Sequence, residues 1–217
     1  MSPSPLTQLL VSSLNVPPGG AVVDVGCGSG MLSVAAVDQG ARVVYAMDTN
    51  PLALVETAAR ARLAGCPRRV LPILADLCDL SNIVPGVIDA IICNPPQLPS
   101  RSSGAGLAER SAYDAGLDGR RYIRALIKEV EAISVRNGGK APTLQLVTTS
   151  VAHPMETIRD LRAARFQITV LAEAIAPFRP AYYDVIELLP PDSYFSRDGE
   201  LYERLFSIRA IPEVFVR

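Results

Sequence analysis

The sequence predicts an α/β fold, a mostly parallel open sheet with helices on both faces. Three observations carry this expectation. Strand-like apolar runs alternate with helix-spaced segments along most of the 217 residues. The first such run, Val22-Val23-Asp24-Val25, leads directly into Gly26-Cys27-Gly28-Ser29-Gly30, glycines at alternate positions followed by helix formers. An acid also closes each of the first three strand-like runs: Asp24, Asp48 and Asp76. In an open α/β sheet the carboxyl ends of the strands form the ligand crevice.

Leu6–Leu14 has helical spacing, and Pro17-Pro18-Gly19-Gly20 breaks it. Ala21–Val25 reads as a parallel strand buried on both faces. Met31–Gln39 is a helix stopped by Gly40. Arg42–Met47 forms a second strand ended by Asp48, and Pro51 suits the first turn of a helix over Pro51–Leu63. Val70–Leu74 predicts a third strand, closed by Ala75-Asp76. Val87–Cys93 predicts a fourth, before Asn94-Pro95-Pro96-Gln97. The polar segment Pro99–Arg110 reads as an active-site loop and not a linker, so a single domain is expected over residues 1–217. Tyr122–Val135 and Met155–Ala164 are helices flanking a fifth strand, Thr143–Thr149. Gln167–Leu189 and Leu201–Ile211, with alternating and aromatic residues, read as strands forming a hairpin.

Composition narrows the function classes. With 49% hydrophobic and 20% charged residues the chain can bury a core and is not of the disordered class. A formal net charge of −1 supplies no whole-molecule field for nucleic acid, so a nucleic-acid partner is not expected. No apolar run approaches the roughly 20 residues that span a bilayer. The first residues also lack a secretory pattern, so a cytoplasmic protein without a membrane partner is expected. Cys27, Cys66, Cys78 and Cys93 are dispersed, and His153 is the only histidine, so no metal site is expected. His153 remains a candidate proton acceptor or a helix cap.

The dinucleotide fingerprint places its third glycine three residues after the second, whereas here the spacing is G-x-G-x-G. Asp48 lies about 20 residues past the glycine turn, which suits a carboxylate that accepts from two ribose hydroxyls. Asp76, or its neighbour Asp79, could accept from an adenine amino group; each acid also reads as a helix cap or a solvated loop residue. Asn94, Pro95 and Pro96 form a stiff turn after the fourth strand, since proline fixes φ and lacks an N–H. The Asn94 side-chain oxygen and a proline-flanked carbonyl can each accept one N–H of a planar NH2 group, which holds its nitrogen for attack.

The glycine turn with Asp24 resembles the first motif of class I S-adenosylmethionine (SAM) methyltransferases. Asn94-Pro95-Pro96 resembles the motif of enzymes that methylate exocyclic amines and amides. Together with Gly116-Leu117-Asp118-Gly119 and the following helix, it is similar to the catalytic domain of the release-factor glutamine N-methyltransferase (HemK-like) family. The likeness runs from about Ala21 to Ser150 and implies a Rossmann-like seven-stranded sheet in the order 3-2-1-4-5-7-6, with strand seven antiparallel.

That resemblance implies SAM as cofactor and S-adenosylhomocysteine as product. The cofactor-binding candidates are Asp24, Gly26, Cys27, Gly28, Gly30, Asp48, Thr49, Asp76, Leu77 and Asn94. Asn94, Pro95 and Pro96 are the catalytic candidates. The 20 residues before Ala21 leave no room for that family's N-terminal helical domain, and Gln97 stands where an aromatic would stack on a planar acceptor. The sequence therefore favours a polar small-molecule substrate with an amine or amide nitrogen. Gln97, Tyr113, Arg179, Tyr182 and Tyr183 are its candidate contacts, and the tail aromatics read equally as hairpin core. A protein or rRNA N-methyltransferase, SAM cyclisation, a catalytically silent SAM-binding subunit and a nicotinamide enzyme are the alternatives. Oligomeric state is left open.

Overall fold

A computed structural model of the chain describes residues 3–84, 86–100 and 115–213. Helix α1 (Pro5–Ser13) precedes strand β1 (Ala21–Val25), then α2 (Met31–Asp38), β2 (Val43–Asp48), α3 (Pro51–Leu63) and β3 (Val70–Leu74). A short helix α4 (Leu80–Ile83) leads to β4 (Ala90–Cys93), and α5 (Arg121–Arg136), β5 (Thr143–Thr149) and α6 (Pro154–Ala163) follow. The last elements are β6 (Phe166–Pro177), the single turn α7 (Pro180–Tyr183), β7 (Tyr194–Arg197) and β8 (Glu200–Pro212).

The strands form one sheet in the order β3-β2-β1-β4-β5-β8-β6, with β7 paired to β8 off that path. Strands β1 to β5 pair in parallel, and β8 is antiparallel to β5, β6 and β7. The implied order therefore holds, since β8 is the Leu201–Ile211 strand of the sequence reading; β7 is the addition. Asp198-Gly199, both at positive φ (52° and 80°), make the tight turn from β7 to β8, the connection that Asp-Gly favours in a hairpin.

Alternation along β1 divides the core. Val23 and Val25 join a cluster with Ile123, Leu126, Val130 and Ile133 of α5, whereas Val22 joins α1 and α2 through Leu10, Leu32 and Ala36. The five buried residues of α5, Ile123, Leu126, Ile127, Val130 and Ile133, line one face of the helix, and burying each apolar side chain contributes about 1.5–3 kcal/mol. Buried polar contacts fix α1 on the sheet. The Gln145 amide donates to Ser13 O (2.9 Å) and accepts from the Asn15 N–H (2.9 Å), while Ser13 Oγ donates to Ser207 Oγ (2.7 Å).

Two expectations are corrected. The fourth strand begins at Ala90, not Val87, because Gly86 turns at φ 71° and the Asp89 carboxylate accepts the Ala21 N–H (3.0 Å). The stretch Gln167–Leu189 is strand only to Pro177. Pro180 then starts a helical turn whose Tyr182 packs with Phe178, Leu189 and Val151, a small core of its own.

Candidate active site

The glycine turn sits at the carboxyl end of β1 and is braced from two sides. Gly26 and Cys27 N–H groups donate to Met47 O (2.8 and 3.0 Å), which ties the turn to β2. From α3, Thr57 Oγ1 donates to Gly28 O (2.9 Å) and Arg60 Nε to Ser29 O (2.6 Å). Gly30 is needed for packing: at φ 74° a Cβ would lie 2.8 Å from Thr57. Gly28 is different. At φ 53° its absent Cβ would meet nothing within 4 Å, so the backbone presents an open cradle.

Asp48 is aimed at that cradle. Its Oδ2 accepts the Gly28 N–H and its Oδ1 the Asn50 N–H, both at 2.9 Å, and each oxygen keeps a lone pair for a ligand hydroxyl. Thr49 beside it is exposed. Asp24 is fully buried in β1 and accepts from Ser33 Oγ (2.6 Å) on α2; its other oxygen has no partner among the described residues. Burial pushes this carboxyl up to about 7, against the Ser33 hydrogen bonds that favour the charged form. Burial also pushes the Cys27 thiol up to about 12, so it is a neutral wall residue. Asp76 is exposed and caps the next turn by accepting the Cys78 N–H (2.9 Å), with Leu77 buried behind it. Asp79 precedes α4 and makes no side-chain cap.

An unpartnered buried carboxylate oxygen, an open glycine cradle and a half-buried, hydrogen-bonded carboxylate fit a cationic nucleoside with a ribose diol.

Beyond β4 the Asn94-Pro95-Pro96 turn is held from both α1 and β5. Pro95 is buried and Pro96 half-buried. Asn94 Nδ2 donates to Thr7 Oγ1 of α1 (2.9 Å). Gln97 is 3% exposed; its amide nitrogen donates to Pro95 O (3.2 Å) and Val147 O (3.1 Å), and its oxygen accepts the Thr149 N–H (3.0 Å). Gln97, a candidate substrate contact in the sequence, thus splices the turn onto β5. Gly119 presses on the same turn: a Cβ there would lie 2.7 Å from Gln97 O. The buried Arg120 next to it donates to Thr157 Oγ1 (3.2 Å) and pairs with Asp160, locking the start of α5 to α6. Burial resists the charge on Asp118, but the Arg124 and Arg120 contacts prevail and hold its carboxyl below the usual range.

The tail candidates part company. Tyr182 is buried (1% exposed), with its ring 4.4 Å from the Arg179 guanidinium; Tyr183 is exposed and meets Phe178 edge-on. Arg179 pairs with the buried Glu203 (3.1 Å), which also accepts from Thr149 Oγ1; burial raises the Glu203 carboxyl. Arg179 Nη2 and the Tyr182 hydroxyl have no partner among the described residues. His153 starts α6 with φ 48°, and its carbonyl, not its ring, accepts the Glu156 and Thr157 N–H groups. Tyr113 and most of the Pro99–Arg110 segment lie outside the described residues. Thr7, Ser33, Thr57 and Glu203 escaped the sequence reading because each stands among apolar helix or strand positions and no spacing sets it apart.

The family described as Ribosomal protein L11 methyltransferase (PrmA) matches residues 5–95. The Methanocaldococcus jannaschii protein MJ0928, which bears the provisional name protein N5-glutamine methyltransferase, is 30% identical over 158 residues, 72% of this chain and 76% of that protein. The Ribosomal protein L11 methyltransferase of Gloeobacter violaceus is 39% identical over 87 residues, 40% of this chain; the matched part is 28% of that longer protein. Among solved structures, the E. cuniculi Mtq2-Trm112 complex, described as methylating the eRF1 termination factor, superposes with TM-score 0.63 and 17% identity, covering 98% of each chain. At that identity the superposition shows the fold. No helix among the described residues is long and apolar enough to cross a membrane. The extent of the M. jannaschii match, over a site whose groups fit the cofactor, makes this chain a member of the class I SAM-dependent methyltransferase family.

Proposed function

We propose that the chain moves a methyl group from SAM to the nitrogen of a side-chain amide in a protein. The observation that carries this reading is the Asn94-Pro95-Pro96 turn at the carboxyl end of β4, where Asn94 Nδ2 is committed to Thr7 and Oδ1 has no hydrogen-bond donor among the described residues. A planar amide can give one N–H to that oxygen and the other to a carbonyl of the turn. Pro95 O, for instance, accepts from Gln97 and keeps a second lone pair. Two acceptors fixed in one stiff turn set both the position and the facing of the nitrogen, and such pre-alignment supplies much of a transfer rate.

Bound SAM supplies an electrophilic methyl on a sulfonium and leaves as S-adenosylhomocysteine. In this reading Asp48 accepts from the ribose hydroxyls, and Gly26 and Gly28 let the ligand approach the backbone. Asp24 faces the cationic end, with Thr49, Asp76 and Leu77 along the nucleoside.

Two observations favour a protein over the small molecule that the sequence suggested. The relatives that match it are named as protein methyltransferases, for glutamine and for ribosomal protein L11. Gln97, the residue that pointed to a polar small molecule, spends its amide on Pro95, Val147 and Thr149.

The test is methyl-tritiated SAM with extract from cells that lack this gene, fractionated into protein, RNA and low-mass pools. Label is expected in protein, and peptide mass spectrometry should find one added methyl on a glutamine or asparagine. Asn94→Ala should cut this transfer about a hundredfold while leaving SAM affinity nearly unchanged. Label only in the low-mass or RNA pool would overturn the acceptor class.

A further inference from the structure

The amide of Asn94 has two faces, and only one leaves an acceptor for the methylated group. Its terminal torsion is broad and roughly two-fold, so the backbone alone does not choose between them. We propose that Thr7 makes that choice and is a positioning residue for methyl transfer, acting through Asn94. The inference rests on the reading that Asn94 Oδ1 aligns the acceptor.

Thr7 lies in the first turn of α1, 87 residues from Asn94 along the chain. Ser4 caps this helix: its Oγ accepts the Thr7 N–H (3.2 Å) and lies 3.0 Å from Thr7 Oγ1. Either oxygen of that pair can donate; in the arrangement where Thr7 gives its hydrogen to Ser4 Oγ, only lone pairs remain on Thr7 Oγ1 toward Asn94. Asn94 must then present its NH2 to Thr7, as the 2.9 Å contact has it, and Oδ1 is turned the other way. The helix itself cannot drift. Leu6, Leu9 and Leu10 are buried, and the Gln145–Ser13–Ser207 contacts hold its far end against β5 and β8. A hydroxyl fixed from both ends of its helix thus imposes one facing on a side chain at the carboxyl end of β4.

Two variants separate the hydroxyl from the packing. Thr7→Val keeps the shape and loses the oxygen; Thr7→Ser keeps the oxygen. In the tritium assay on extract protein, Thr7→Val should lower the initial rate about tenfold with SAM affinity within about twofold, and Thr7→Ser should restore most of the rate. In an Asn94→Ala background Thr7→Val should add nothing further, because the two side chains act as one unit. The side-chain NH2 resonances of Asn94, assigned by their loss in Asn94→Ala, should move in Thr7→Val and return in Thr7→Ser, with no acceptor present.

Unchanged Asn94 resonances in Thr7→Val, an unchanged rate, an equal loss of rate in the Asn94→Ala background, or a loss of SAM affinity as large as the loss of rate would overturn the role of Thr7. Full transfer by Asn94→Ala alone would instead remove the reading of Asn94 on which it rests.

Discussion

Replacing Asp24 by asparagine tests how the buried carboxylate trades stability for ligand. Asp24 is wholly buried and its carboxyl is pushed up from 3.8 to about 7, chiefly by loss of water. The native state therefore holds this proton more tightly than the unfolded chain. The contribution of Asp24 to stability falls as pH rises from about 4 to about 7 and stays low above that. A shift of about three units corresponds to about 4 kcal/mol between the two protonation states. At pH 8 nearly all of that penalty is present; at pH 5 it is about 2 kcal/mol.

Asp24→Asn removes the ionisation and keeps the shape. In urea unfolding of the ligand-free protein, the variant should gain on the wild type by about 2–3 kcal/mol more at pH 8 than at pH 5. Calorimetry supplies the second half. SAM should bind the wild type more tightly as pH rises through about 7, where Asp24 ionises toward a cationic ligand, and this pH dependence should be absent in Asp24→Asn. A stability difference that does not change with pH, or a wild type that gains on the variant as pH rises, would refute the reasoning.

Asp48→Ala removes the acceptor of the Gly28 and Asn50 N–H groups and the proposed ribose contact. SAM and S-adenosylhomocysteine affinity should fall by about 1–3 kcal/mol in calorimetry, and retained affinity would place the ribose elsewhere. Gly119→Ala puts a Cβ 2.7 Å from Gln97 O at a residue with φ 71°. The cost should be about 1–3 kcal/mol in thermal melts, with methyl transfer reduced more than SAM binding. A variant that melts and turns over like the wild type would show that the acceptor turn does not depend on this contact.

The alternation of β-like and helical segments fixed the parallel half of the sheet, because a buried parallel strand is written as a short apolar run. The glycine spacing and Asp48 likewise marked the open turn at the carboxyl ends of β1 and β2, since a tight turn and a nearby backbone approach need glycine at defined positions. The tail was misread where local pattern and packing diverge: Phe178–Leu189 has aromatic, strand-like residues, yet Pro180 and the small core around Tyr182 curl it into turns.

The tertiary structure alone decided which polar side chains were spent within the chain. Gln97, a candidate substrate contact in the sequence, has its amide engaged by Pro95 O of its own turn and by Val147 and Thr149 of β5. Thr7 carried no signal in the sequence, and only the placing of α1 brings it to Asn94. A sequence states which donors and acceptors a chain carries. Which of them remain for a ligand depends on partners tens of residues away, and only folding brings those within 3 Å.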